Sequence, residues 1–154
     1  MKKPGWILVL AQFALLIALV FIPDQPHPNQ TLYLIGRALA IFALVLLIIA
    51  AFVLRPSLTA LPEPRHDAPF ITNGVYQYLR HPMYSALILF ALGAALYKWS
   101  LLALATAIGL FIVLNVKYRY EDSLLREKWP QAHEYQTKVG ALFPKSIRPT
   151  YKSQ

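Results

Sequence analysis

Asn73-Gly-Val-Tyr-Gln-Tyr-Leu-Arg-His-Pro-Met-Tyr84 is a polar and aromatic stretch in a chain that is strongly apolar on both sides of it. Arg80 and His81 stand immediately before an apolar run, and Pro82 lies where a helix tolerates proline, at its first turn. Charged side chains at the edge of a membrane are costly unless they have a partner or a function. The stretch therefore predicts a helix that begins at residue 82 with functional groups at its start.

The composition of the whole chain indicates a membrane protein. Of its 154 residues, 57% are hydrophobic and 14% are charged, whereas an average soluble domain has about 45–50% apolar and about 25% charged residues. The chain has no cysteine, which excludes disulfides, thiolate catalysis and cysteine-based metal sites. The net charge of +8 fits basic residues that face anionic lipid headgroups, and we expect no nucleic-acid partner.

Four apolar runs predict an all-α fold, a polytopic membrane bundle of four transmembrane helices in a single domain over residues 1–154. The first run follows two lysines, as in a signal peptide, but no small-residue cleavage site follows it, so we expect it to be retained. After the last run, residues 118–154 are expected to form a cytosolic segment that begins as an amphipathic helix. The predicted spans are residues 6–22, 31–54, 82–98 and 100–117.

The positions of lysine and arginine predict the topology of these spans. Cytoplasmic loops carry an excess of basic residues, and Lys98 is the one basic residue clearly in an opposite loop. We therefore expect both termini and the stretch 73–84 to be cytoplasmic. Arg37, about two turns inside the second span, either extends to the nearby interface or faces the bundle interior and holds an anion. The cytoplasmic assignment rests on the C-terminal segment and on Lys2, Lys3, Arg55, Arg65 and Arg80.

Two polar groups are expected to meet at the cytoplasmic face, because the third and fourth spans form a hairpin that places them at the same depth. A pocket between them would hold cations near carboxylates, anions near arginine and histidine, and flat rings against tyrosines. Each group taken alone also fits an interfacial anchor or a solvated helix face. The first group is Tyr76, Arg80, His81 and Tyr84, and the second is Arg119, Glu121 and Asp122.

Both groups resemble motifs of one superfamily. Residues 74–84 resemble the Gly-x-Tyr…Arg-His-Pro-x-Tyr motif of the isoprenylcysteine carboxyl methyltransferase and phospholipid methyltransferase superfamily, and the resemblance continues to residue 144. The second motif of that superfamily is matched by Glu121-Asp122, Leu125, Trp129-Pro130, Tyr135, Val139 and Pro144. The departures are Asp122 in place of a second Glu, Pro130 and Ala86 in place of Gly, and Ala132 or His133 in place of a Tyr.

The resemblance implies a membrane methyltransferase that binds S-adenosylmethionine in a pocket closed by residues 118–154, with a lipophilic substrate entering from the bilayer. The acceptor would be the carboxylate of a prenylated thiol-acid or similar small lipid, or alternatively the amine of a phospholipid. Glu121 would bind the amino group of the cofactor or a substrate group, and Arg119 would orient an acidic acceptor, which makes these two the catalytic candidates. The cofactor-binding candidates are Tyr76, Arg80, His81, Pro82, Tyr84, Glu121 and Asp122.

Two other classes of function remain open. A nicotinamide-dependent membrane reductase would use a related helical hairpin, and a non-enzymatic membrane subunit would lack an enclosed pocket between Arg80 and Glu121. We expect no metal, because membrane di-iron enzymes need closely spaced histidines. Those of this chain are widely separated, at His27, His66, His81 and His133. The expected partners are membrane lipids and a lipophilic small molecule, and the oligomeric state does not follow from the sequence.

Overall fold

The computed structural model describes residues 5–59, 61, 63, 67–146 and 151. Within these residues the chain is all-helical, as the apolar runs predict. Lys2, Lys3 and Arg65, which support part of the predicted topology, lie outside the described residues, as does most of the basic C-terminal tail. The α-helices are α1 (Gly5–Phe21), α2 (Gln30–Leu54), α3 (Pro82–Lys98), α4 (Leu101–Lys128) and α5 (Ala132–Lys138), and a short 3₁₀ turn (Gly74–Gln77) precedes α3.

Local sequence determines where the helices begin and end. The side chain of Asn29 accepts a hydrogen bond from the amide of Leu32 and caps α2, and Ser100 caps α4 in the same way. Pro82 is the first residue of α3. α4 continues past residue 117, the predicted membrane edge, to Lys128, so the fourth apolar run and the amphipathic segment are one helix, as the sequence predicts.

Two of the helices, α2 and α4, are long and apolar enough to cross a membrane, judged by length and composition. The shorter apolar helices α1 and α3 have 17 residues each, or about 26 Å at 1.5 Å per residue. The four-span arrangement therefore stays a prediction. Arg37 on α2 is exposed and donates to the hydroxyl of Tyr33 at 3.1 Å, so it faces away from the bundle interior, as the interfacial alternative requires.

The spatial order of the long helices is α2, α3, α4, α1, with each packed against the next. α2 and α3 approach most closely where Gly36 faces Gly93. A Cβ atom added to Gly93 would lie 2.7 Å from the carbonyl oxygen of Gly36 and 2.8 Å from the amide nitrogen of Ala40. The two backbones therefore touch, as small residues allow between membrane helices.

The chain after α5 returns to the start of α3. Leu79 and Gly140 form an isolated parallel bridge, the amide of Arg80 donates to the carbonyl of Gly140 at 2.8 Å, and the amide of His81 donates to that of Ala141 at 3.1 Å. These bonds fix the polar stretch between the 3₁₀ turn and α3 against residues 139–142. The C-terminal segment thereby becomes part of the wall around the start of α3.

Candidate active site

A cavity of about 330 Å³ lies between α1, α3, α4 and residues 57–59 and 68–71. Its volume is at the lower end of the range for small-molecule sites, about 300–1,000 Å³. The cavity has an inner end, which lies deeper in the helix bundle, and an outer end, which lies near the end of α4. α1 and α3 enter the bundle from this side and contribute Phe13 and Leu87 to the inner end, whereas Trp129 and Tyr135 close the outer end beyond α4.

Asp122 joins the two basic residues at the start of α3. Its Oδ2 accepts from a terminal nitrogen of Arg80 at 2.7 Å, and its Oδ1 lies 2.9 Å from Nε2 of His81. The side chain of Asp122 is 7% exposed and does not line the cavity. Asp122 therefore holds Arg80 and His81 in place without itself lining the cavity.

Arg80 links the C-terminal segment to this carboxylate. One terminal nitrogen donates to the backbone carbonyls of Gln136 at 2.6 Å and Val139 at 2.7 Å, while the other bonds to Asp122. Both ends of the guanidinium are thus occupied by the protein itself. Nε of Arg80 is buried and has no hydrogen-bond partner in the part of the chain that the structure describes, and Arg80 lines the cavity.

Glu121 is the carboxylate that faces the cavity. The hydroxyl of Tyr84 donates to its Oε2 at 2.7 Å, and Nδ1 of His81 lies 3.6 Å from the same oxygen. The rings of His81 and Tyr84 stack with centroids 5.3 Å apart and planes 2° apart. The side chain of Glu121 keeps 25% of its surface exposed, so it presents a fixed negative charge to a ligand.

Tyr76 and Tyr135 close the cavity near Arg80. The hydroxyl of Tyr135 donates to the backbone carbonyl of Tyr76, and the hydroxyl of Tyr76 donates to that of Ala50 at 3.4 Å. Burial raises the pKa of both tyrosine hydroxyls above the usual range. Both hydroxyls therefore remain protonated near neutral pH and hold the 3₁₀ turn against α2 and α5.

Lys117 lines the cavity, although neither sequence motif assigns it a role. It is 3% exposed, and its Nζ donates to Oε1 of Gln12 on α1 at 2.8 Å and lies 5.1 Å from the ring centroid of Tyr84. Lys117 precedes Glu121 by one helical turn, and that spacing places both on one face of α4. Two features of the sequence could have indicated this role for Lys117. One is its spacing from Glu121, and the other is Gln12, the polar residue that interrupts the first apolar run.

Arg119 does not join the cavity, contrary to expectation. It is exposed and borders a separate outer depression that also contains Phe111 and Ile112. Successive residues of an α-helix are about 100° apart, so Arg119 points to the opposite side of α4 from Lys117 and Glu121. Pro82 is buried at the first turn of α3 and, like Asp122, does not line the cavity.

A family model described as phospholipid methyltransferase matches residues 31–132. The match contains the first turn of α3 and the face of α4 that carries Glu121 and Asp122. The chain belongs to the phospholipid methyltransferase family. No curated protein matches the chain.

Membership of this family agrees with the resemblance seen in the two motifs and implies a methyltransferase. With the apolar helices α2 and α4, it also supports association with a membrane. The family match does not include α1, and therefore does not include Gln12 and Phe13, which line the inner end of the cavity.

Proposed function

We propose that this member of the phospholipid methyltransferase family transfers a methyl group from S-adenosylmethionine to a lipophilic acceptor that reaches the cavity from the bilayer. The observation that carries the proposal is the Glu121 carboxylate, held by Tyr84 and His81 at the wall of a cavity that also has apolar side chains. In this proposal four helices span the membrane, with both termini and the site cytoplasmic. Labelling of single introduced cysteines from each side of the membrane tests that arrangement.

The residues around the cavity fit the chemical groups of S-adenosylmethionine. Glu121 suits its ammonium group, and Arg80, which also lines the cavity, is a guanidinium partner for its carboxylate. Aromatic faces attract a sulfonium cation and stack on an adenine ring, and Tyr76 and Trp129 are aromatic residues that line the cavity. Three of the five N–H donors of Arg80 bind Asp122 and backbone carbonyls, which leaves Nε–H and one N–H of the nitrogen that binds Asp122 for the cofactor.

The protein contributes positioning and exclusion of water to this reaction. When bound, S-adenosylmethionine supplies a sulfonium methyl group, whose bond to sulfur breaks as a bond to the acceptor oxygen or nitrogen forms and its electron pair returns to sulfur. Phe70 stacks near Trp129, with centroids 5.2 Å apart, and this pair covers the outer end of the cavity. Glu121 would accept the proton that an ammonium acceptor must lose, whereas a carboxylate acceptor needs no base.

Two acceptor classes follow from this chemistry. The carboxylate of a prenylated thiol-acid or similar small lipid would give a methyl ester, and the amine of a phospholipid would give a methylamine. The description of the matching family supports the amine, and the cationic Lys117 in the cavity supports an acidic lipid. The two products differ in chemistry, because alkali cleaves an ester and leaves a methylamine intact.

The test is transfer of labelled methyl groups to lipids by the full chain in lipid nanodiscs. We expect label in the lipid extract when nanodiscs contain either phosphatidylethanolamine or a prenylated thiol-acid, and alkali then distinguishes amine from ester. Glu121→Gln should lower the rate about 100-fold, because both charge and proton acceptor are lost. Glu134→Gln removes an exposed carboxylate from α5 and should leave the rate within twofold. Absence of labelled lipid with both acceptors contradicts the proposal.

A further inference from the structure

We infer that Lys117 and Gln12 form a subsite for the anionic group of the lipid acceptor, at the inner end of the cavity. The inference rests on the proposed function, because it assigns the acceptor to the same cavity. Both side chains line that cavity, and both are buried, at 3% and 7% exposure. A buried basic group is costly unless it has partners, and it creates a positive potential there.

The hydrogen bond between the two side chains determines which atoms they present. A lysine ammonium only donates hydrogen bonds, so the atom of Gln12 that lies 2.8 Å from Nζ must be its carbonyl oxygen. The NH₂ group of Gln12 is then turned away from Lys117. Lys117 and Gln12 thus bring two sets of N–H donors, one of them charged, to the inner end of the cavity. Donors of this kind favour a carboxylate or phosphate oxygen.

The neighbours of the subsite suit a lipid. Phe13 follows Gln12 on α1, Leu87 lies one turn beyond Tyr84 on α3, and both line the cavity with Lys117. An anionic group held by Lys117 therefore lies beside apolar surface that would accept a hydrocarbon chain. A free, fully hydrated anion would gain nothing from that surface, so the ligand is an amphiphile.

The spacing of Lys117 and Glu121 suits both acceptor classes. A carboxylate acceptor would bind Lys117 with one oxygen and receive the methyl group on the other. A phospholipid would place its phosphate at Lys117 and direct its amine toward Glu121, about 6 Å farther along α4 at 1.5 Å per residue. The shared chemistry is an anionic oxygen group on a lipid, and the two sources are separated by the choice of probe.

The experiment measures equilibrium binding of labelled oleate, lysophosphatidic acid and oleyl alcohol to the full chain in detergent. Lys117→Met should weaken binding of both anions about tenfold or more, because a charged hydrogen bond is lost, and should leave oleyl alcohol unchanged. Lys117→Arg keeps the charge and should stay within about threefold of wild type. The anion that wild type binds more tightly identifies the acceptor class.

Arg119→Met is the matched variant, because it removes the same charge from the opposite face of α4. It should change anion binding less than twofold. The subsite is overturned if Lys117→Met binds anions as tightly as wild type does. It is also overturned if Arg119→Met loses as much anion affinity as Lys117→Met.

Binding of S-adenosylmethionine to the same samples separates this inference from the proposed function. Lys117→Met should bind the cofactor as wild type does, which also shows that the variant is folded. If wild type binds anions through Lys117 but binds no S-adenosylmethionine, the proposed function fails and the subsite stands. If the cofactor binds and the affinity for anions is the same in wild type and Lys117→Met, the subsite is contradicted and the proposed function is not.

Discussion

His81 is the residue through which the parts of the site are joined. Its ring nitrogens face Asp122 at 2.9 Å and Glu121 at 3.6 Å, and its ring stacks on Tyr84. Asp122 also holds Arg80, which in turn holds two backbone carbonyls of the C-terminal segment. The two neighbouring carboxylates on α4 thus have different roles. Asp122 holds Arg80 and His81 in place, and Glu121 faces the cavity.

Asp122→Asn tests the supporting task. The substitution leaves Arg80 without its carboxylate and weakens the bond to His81, and breaking a buried ion pair in this way costs about 3 kcal/mol. We expect a clear decrease in the thermal unfolding temperature in detergent and faster proteolysis of the chain after α5. Glu134→Gln, which breaks an exposed i,i+4 pair with Lys138, should cost less than about 0.5 kcal/mol. Equal unfolding temperatures for the two variants would contradict the assignment.

Sequence and structure agree on which residues of α3 are close to α4, and disagree on which cation faces the cavity. Arg80, His81 and Tyr84 could be predicted to lie near Glu121 and Asp122, because a hairpin places both groups at one depth. The choice between Lys117 and Arg119 depends on which face of α4 contacts α1. Gln12 is the one polar residue of α1 that hinted at that contact, and no motif included it, so the sequence pointed to Arg119 rather than to Lys117.

At the scale of the helices, the bounds were largely predictable and the close contacts were not. Asn29, Pro82 and Ser100 mark the starts of α2, α3 and α4, respectively, and these helices begin at or within one residue of the predicted positions. The bridge between Leu79 and Gly140 joins segments about 60 residues apart through backbone atoms, which leave no side-chain pattern to detect. The close approach of Gly36 to Gly93 is likewise a contact between backbone atoms.

Gly93→Ala tests the contact between α2 and α3. Alanine is a better helix former than glycine by about 1 kcal/mol, but its Cβ would collide with the backbone of Gly36 and Ala40. Overpacking of this kind costs about 1–3 kcal/mol, so we expect a lower unfolding temperature in detergent. Gly109→Ala on α4 is the control, because its Cβ would meet only Leu15 side-chain atoms at 3.6 Å and beyond. It should be neutral or stabilising, and the same result for Gly93→Ala would refute the close approach.

At the scale of the molecule, the candidate site is a cavity built from distant parts of the described chain. α1 supplies Gln12, the start of α3 supplies His81, α4 supplies Glu121, and the chain around α5 supplies Tyr135. Exposed apolar side chains cover the outer faces of α1 and α2, where lipid would replace water in the proposed membrane arrangement. A ligand in the cavity would therefore contact groups from both the membrane interior and the C-terminal segment.

Calorimetric titration of the detergent-solubilised chain with S-adenosylmethionine tests the central claim most directly. Wild type and Glu134→Gln should bind the cofactor with similar affinity, and Glu121→Gln should bind it about tenfold more weakly, because a charged hydrogen bond to the ammonium group is lost. A nicotinamide dinucleotide, titrated in parallel, should not bind. Failure of wild type to bind S-adenosylmethionine, or binding of the dinucleotide in its place, would contradict the account.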